Sequence, residues 1–242
     1  MLLNFKNISK TFYTEEKETK VLDHISFTVN ENEIVSILGP SGCGKSTILN
    51  IINQLTYPTT GEIELTAKLG YMFQKDCLMP WKSVYKNIII GLEINKKDNQ
   101  ENLAYACDLI KKYHLEEFKS FSSKQISGGM KQRVSLIRTL VLKPDLLLLD
   151  EPFSALDFQT RLQVQNDVYQ IIKQEKKSAL IITHDIQEAI ALSDRIIILS
   201  NRPTKIIDIV NIENNFSPTI RRKDPSFVEY YNKINLLLNI DK

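Results

Sequence analysis

Gly39-Pro40-Ser41-Gly42-Cys43-Gly44-Lys45-Ser46, with Thr47 following, satisfies G-x-x-x-x-G-K-[ST] at every fixed position. The apolar run Ile34 to Leu38 just before it reads as a buried strand, and Ser46 to Asn53 just after it reads as a helix. A strand-to-helix turn is where a phosphate cradle belongs. Glycines let the backbone fold tightly, so that N–H groups converge on phosphate oxygens. The helix that follows adds the positive end of its dipole. Lys45 is expected to reach the β- and γ-phosphates, and the Ser46 hydroxyl to ligate Mg²⁺. A glycine-rich turn that binds nothing would carry the same letters, and the flanking strand and helix weigh against it. Cys43 sits at a variable position and reads as a small filler rather than a redox group.

Two further motifs gain meaning from this loop. Leu146-Leu147-Leu148-Leu149-Asp150-Glu151 is an apolar run, typical of a central parallel strand, that ends in two carboxylates. In open α/β sheets the carboxyl ends of strands border the ligand crevice. Asp150 suits Mg²⁺, through water, and Glu151 suits the base or positioner of an attacking water. A solvated turn would read the same without the upstream cradle. Ser127-Gly128-Gly129-Met130 precedes a helical stretch, Lys131 to Val141, and offers a serine N-cap with paired glycines, a second anion-binding element. Five of the chain's eight glycines lie in the two motifs, which suggests that the backbone itself binds. One domain with two phosphate-binding elements points to two-fold pairing, each element facing the other protomer's nucleotide. An ordinary capped helix is the alternative.

The rest of the 242-residue chain fits a layered α/β fold. Leu2 to Ile8, Ile25 to Val29, Leu69 to Phe73, Ala179 to Thr183 and Arg195 to Leu199 read as strands, and Gln159 to Glu175 as a helix. From about Lys75 to Val141 the pattern is mainly helical, with Leu103, Cys107 and Ile110 on one face, so Cys107 is expected in the core. The polar segment Asn211 to Ser217 reads as a linker. After it, Asp224-Pro225 signals a helix start, and Phe227, Tyr230, Tyr231, Ile234, Leu237 and Leu238 form a stripe expected to pack on the protein's own body. The net charge of +2 gives no reason to expect nucleic acid as a partner. Three cysteines without metal-ligand spacing suggest a reduced cytosolic protein. Met1 to Lys6 lacks the pattern of a secretory signal, and no apolar run approaches the roughly 20 residues that span a bilayer. Any membrane function would need another chain to do the spanning.

Taken together, these motifs resemble the nucleotide-binding subunits of ABC transporters, from about Leu2 to Ile207 and in the family's order. Gly39 to Thr47 is similar to Walker A, and Asp150 and Glu151 to Walker B and its catalytic glutamate. Gln74, after Tyr71-Met72-Phe73, resembles the Q-loop glutamine, and Ile126-Ser127-Gly128-Gly129-Met130 the signature LSGGQ. Ser154 to Asp157 resembles the D-loop, and His184 the switch histidine. Phe12 falls where the family places an adenine-stacking aromatic, with Tyr13 beside it as a rival. Ile126 for leucine and Met130 for glutamine are the departures, and neither touches the groups expected to contact phosphate.

The resemblance implies a P-loop NTPase core of ABC type. Its parts would be a mixed sheet, an N-terminal antiparallel β subdomain, and a helical subdomain inserted at about 75–141. The ATP-binding domain would span 1–210, with 211–242 a linker and amphipathic helix. It implies ATP and Mg²⁺ as cofactors, with Ser46, Gln74 and Asp150 around the metal. It implies Glu151, His184, Gln74 and Lys45 as catalytic groups. A head-to-tail homodimer would hold each ATP between Lys45, Ser46 and Thr47 of one copy and Ser127 and Gly129 of the other. Partners would be permease subunits and, indirectly, a solute-binding protein, with the chain peripheral on the cytoplasmic face of the cell membrane.

Gln74 to Trp81 (QKDCLMPW), Ser127 to Arg133 and Asp150 to Leu156 are similar to importers of nitrate, taurine, alkanesulfonates and thiamine-precursor pyrimidines. Trp81 would then anchor a transmembrane partner or fill the helical subdomain. A non-transport ATPase of the same superfamily is the rival, although no coiled-coil or zinc-binding insertion is visible.

Overall fold

The computed structural model describes residues 1–14, 17–213 and 216–240. Two sheets organise it. β1 (Leu3–Tyr13), β2 (Glu18–Val29) and β4 (Thr60–Leu65) form an antiparallel sheet in the order β2-β1-β4. The second sheet holds β3 (Ile34–Leu38), β5 (Leu69–Met72), β6 (Leu146–Asp150), β7 (Ser178–Thr183), β8 (Arg195–Leu199) and β9 (Ile206–Asn211), in the order β5-β6-β7-β3-β8-β9. Its strands are parallel except β9, which closes the edge antiparallel to β8.

The sheet is covered on both faces, and the sequence of β6 shows why. Alternate side chains of a strand point to opposite faces. Leu147 and Leu149 enter the core shared with the helices, while Leu146 and Leu148 enter the core shared with β1, β2 and α1 (Lys45–Ile52). All four leucines are fully buried, each worth about 1.5–3 kcal/mol relative to exposure. A strand buried on both sides must be apolar at every position, hence the unbroken run.

Between β5 and β6 the chain forms α2 (Val84–Ile94), α3 (Gln100–Lys112) and α4 (Gly128–Leu140), with single 3-10 turns at Glu116–Phe118 and Ser123–Gln125. Side-chain caps start these helices: Ser83 accepts from Lys86 N, Asn99 from Asn102 N, and Ser127 from Met130 N. The expectation for Cys107 is corrected here. The buried residues of α3 are Ala106, Leu109 and Ile110, while Cys107 lies at the edge of that face, half-buried, with Lys119 Nζ 3.3 Å from its sulfur. Trp81 is 78% exposed, which removes the reading of it as a core residue.

After β6, α5 (Phe158–Gln174) starts on an Asp157 cap and α6 (Ile186–Leu192) on an Asp185 cap. β9 occupies Ile206–Asn211, so the expected linker begins at the last residue of a strand, and its positions 214 and 215 lie outside the described residues. A short helix, α7 (Pro218–Arg221), follows, unforeseen from the sequence. Asp224 then accepts from Ser226 N and Oγ and opens α8 (Ser226–Ile240). The expected stripe of α8 packs on α6 and β8, with Ile234 fully buried against Ala189, Ile190 and Ile198.

Candidate functional site

The glycine loop joins β3 to α1 at the carboxyl end of the parallel strands. Two glycines are demanded by conformation: Gly42 has φ +78° and Gly44 φ +120°, the left-handed side that other residues resist. A Cβ on Gly44 would also stand 2.8 Å from Val21 Cγ1. Lys45 is buried, and its ammonium donates to the carbonyls of Gly39 (2.8 Å) and Pro40 (2.9 Å), so the lysine is folded along its own loop. Cys43 is buried and its thiol is pushed up by that burial, as a filler should be. Its carbonyl accepts a hydrogen bond from Thr204, a fully buried residue on the loop between β8 and β9. Ser41, Gly42 and Ser46 form the exposed rim, and Pro40 and Thr47 are half-buried.

The two carboxylates behave differently. Asp150, the last residue of β6, accepts from the Tyr71 hydroxyl (3.1 Å). Burial pushes the Asp150 carboxyl up, against the Tyr71 hydrogen bond and the nearby Lys45 charge. Burial, with Asp150 beside it, pushes the Tyr71 hydroxyl up as well. Glu151 stands just past the strand with φ +42°, a conformation unusual outside glycine and typical of strained functional positions. Its backbone is held on both sides: its N–H donates to Ile182 (2.9 Å), and its carbonyl accepts from Ser154 N (3.2 Å) and Oγ (3.1 Å). The side chain is thereby aimed between two of the other expected residues. Gln74 Nε2 donates to Glu151 Oε2 (3.2 Å), and His184 Nδ1 lies 3.2 Å from Oε1. Residues 74, 151 and 184 are thus brought together from three separate connections.

These side chains fit a divalent cation presented with phosphates. Among the described residues the Ser46 hydroxyl makes no hydrogen bond, and only one Asp150 oxygen is engaged. A desolvated carboxylate and an unengaged hydroxyl are oxygen donors of the kind that a Mg²⁺ ion sharing phosphate oxygens and waters takes. No group of three or more His, Cys, Asp or Glu side chains able to hold an ion alone occurs among the described residues.

The second glycine motif is not brought to the first. Ser127 caps α4 through Met130 N (3.3 Å), and Ser127 and Gly128 are exposed. Among the described residues, no hydrogen bond links this serine to the loop at 39–47. Gly129 is buried, and a Cβ there would stand 2.8 Å from Val164 Cγ2, so part of the glycine requirement is close packing of α4 on α5. Phe12 lies on β1, 42% exposed, with Lys10 Nζ 4.9 Å from its ring centroid, and Tyr13 beside it is 68% exposed.

Several site-shaping residues escaped the sequence reading. Arg138 donates to the carbonyls of Asp76 (2.6 Å) and Cys77 (2.9 Å), and fully buried Asn87 ties Met79, Lys82 and Ser83. Together they hold the loop after Gln74. Thr204 and Tyr71 act on residues more than seventy positions away, and nothing local in the sequence marks them.

Residues 22–154 match the family model described as ABC transporter. The chain is 38% identical to an aliphatic sulfonates import ATP-binding protein of Bacillus cereus, covering 97% of this chain and 94% of that one. It is also 38% identical to a formylaminopyrimidine import ATP-binding protein of Halalkalibacterium halodurans, covering 92% and 87%. Among solved structures, a dimeric ATP-binding cassette in a post-hydrolysis state with ADP and Pi superposes with a TM-score of 0.73 at 29% identity, covering 88% of this chain and all of that one.

Proposed function

The chain belongs to the ABC transporter family as an ATP-binding, ATP-hydrolysing subunit, and from that premise we propose that it powers import of a small solute through a separate membrane permease. No helix among the described residues is long and apolar enough to cross a membrane, so translocation falls to a partner chain. Work at the cytoplasmic face, where ATP is found, follows from that division. A solute-binding protein would deliver the cargo. Sulfonate and pyrimidine importers match at the same identity. Those relatives support a small polar solute as the cargo.

The observation that carries the mechanism is the convergence of Gln74, Glu151 and His184. Glu151 accepts a proton from, or orients, the water that attacks the γ-phosphate. Gln74 and His184 each hold one of its oxygens and so fix the direction of the carboxylate. Lys45 exchanges the loop carbonyls for phosphate oxygens when ATP arrives. The backbone N–H groups from Gly39 to Thr47, with the start of α1, cradle the phosphates. Mg²⁺, when bound, neutralises phosphate charge, and Ser46 and Asp150, with Gln74 nearby, would hold it. Phe12 offers a ring for the adenine.

Ser127, Gly128 and Gly129 act on the nucleotide of a second copy in a head-to-tail dimer. The exposure of Ser127 and Gly128, and the lack among the described residues of any hydrogen bond from Ser127 to the loop at 39–47, favour that arrangement. ATP then shifts the population toward the closed dimer, because only that state gains the second set of contacts. ATPase assays of the chain alone and with detergent-extracted membrane protein test the proposal. Co-purification of a multi-spanning partner is expected, and capture of none, with ATPase unaffected by membranes, would favour a non-transport ATPase.

A further inference from the structure

We propose that Arg222, in the turn after α7, is a positioning residue for the His184 turn, acting through a chain of buried polar side chains that the ATPase mechanism leaves unused; the inference rests on the reading of His184 given above. His184 itself is 53% exposed, so its own packing does not fix it. Its neighbours are fixed instead. Asp185 N donates to Thr183 Oγ1 (3.0 Å), and the Thr183 hydroxyl donates to Glu188 Oε2 (2.7 Å). Asp185 caps α6 through Gln187 N and Glu188 N. Glu188, 6% exposed, is therefore the anchor of the turn.

The other oxygen of Glu188 is held by Gln165 Nε2 (2.9 Å), on α5, and Gln165 is 1% exposed. An amide presents a donor at one end and an acceptor at the other; a carboxylate takes the donor end, and a donor at the far end completes the amide's hydrogen bonding and holds it in place. Arg222 is that far-end donor: its Nη2 donates to Gln165 Oε1 and holds the amide with its nitrogen on Glu188. Without that guanidinium the buried amide oxygen is left unpaired and the amide loses its far-end hold, which loosens the anchor of the His184 turn. Arg221 beside it pins the same region. It is 1% exposed and donates to the carbonyls of Ile190 (2.9 Å), Ala191 (3.3 Å) and Ser193 (2.7 Å) at the end of α6. The segment after β9 is thus wired to the helix that begins two residues after His184.

ATP turnover by the full chain tests this. Arg222→Leu is expected to lower kcat about fivefold, as for a lost hydrogen bond to a buried polar group, with KM for ATP unchanged. Arg222→Lys, which keeps a donor, should recover most of the rate. In a His184→Ala background, Arg222→Leu should cause no further loss. Unchanged kcat in Arg222→Leu, or the same fold loss in the His184→Ala background, would overturn the proposal. Wild-type turnover by His184→Ala alone would instead take down the reading of His184 beneath it. Should Arg222→Leu fail to fold, Gln165→Met cuts the chain one link further in; the same loss confined to kcat is expected, and a normal rate would overturn the proposal.

Discussion

The loop at 39–47 and the turn at 127–129 are both glycine-rich starts of helices, yet they are built for different reasons. In the first, Gly42 and Gly44 hold backbone angles that other residues resist, and Lys45 is already folded onto the loop carbonyls. In the second, the described positive angles do not include Gly128 or Gly129, and Gly129 serves the approach of α4 to α5. The first is complete within one chain. The second shows an exposed cap that, among the described residues, bonds only to its own helix start. Glycine enrichment alone therefore does not say whether a backbone is shaped for a ligand or for a neighbouring helix.

That contrast can be pressed experimentally. The largest effect belongs to the complete site. Glu151→Gln should lose at least about a hundredfold in ATP turnover while still binding ATP. Sizing in ATP and Mg²⁺ should then show a long-lived dimer; wild-type turnover would remove Glu151 from its role. Next, Gly44→Ala should destabilise the fold by about 1–3 kcal/mol, from positive φ and the clash with Val21. Gly128→Ala, whose Cβ would meet only Leu156 Cδ2 at 3.1 Å, should change stability by less than about 1 kcal/mol. Equal losses by chemical denaturation would erase the distinction.

Ser127→Ala should cost about 1 kcal/mol as a lost cap. It should also slow turnover while ATP binding to the single chain stays normal; turnover that tracks stability alone would leave Ser127 a cap and nothing more. The smallest effect on stability concerns Asp150. Its carboxyl is raised in the folded chain, so the fold holds that proton more tightly than the unfolded chain does. The stabilising contribution is present below the unfolded value of 3.8 and is lost as pH rises through the folded one. At neutral pH, Asp150→Asn should therefore raise the Tm of the nucleotide-free protein slightly while abolishing turnover. A lowered Tm would show that the ionised form is the one the fold favours.

Motif residues were legible where the chemistry is local. The glycine loop, its strand and its helix are contiguous, and so are the leucine run and its two carboxylates. β3 and β8 have the expected bounds, whereas β1 and β2 run longer than their apolar stretches. β4 was missed because Thr60 to Glu62 are exposed and Gly61 breaks the pattern. Gly61 has φ +96°, and a Cβ there would stand 2.4 Å from the Asn7 carbonyl, so the glycine serves a close backbone approach that no local pattern reveals. Cys107 was misplaced by one position on its helix, since a face one residue wider or narrower reads the same from spacing alone.

By itself, the sequence determined the phosphate loop, the paired carboxylates, the signature turn and the order in which they occur. Each is a run of neighbouring residues whose backbone freedom and charge are intrinsic to it. Only the tertiary structure decided that Gln74 and His184 flank Glu151, that Tyr71 supports Asp150, that Thr204 braces Cys43, and that Arg222 reaches the anchor of the His184 turn. Those contacts join residues carried on separate strands, helices and loops. Hydrogen bonds of that kind exist only once the sheet has brought the strand ends to one edge and the helices have closed over it.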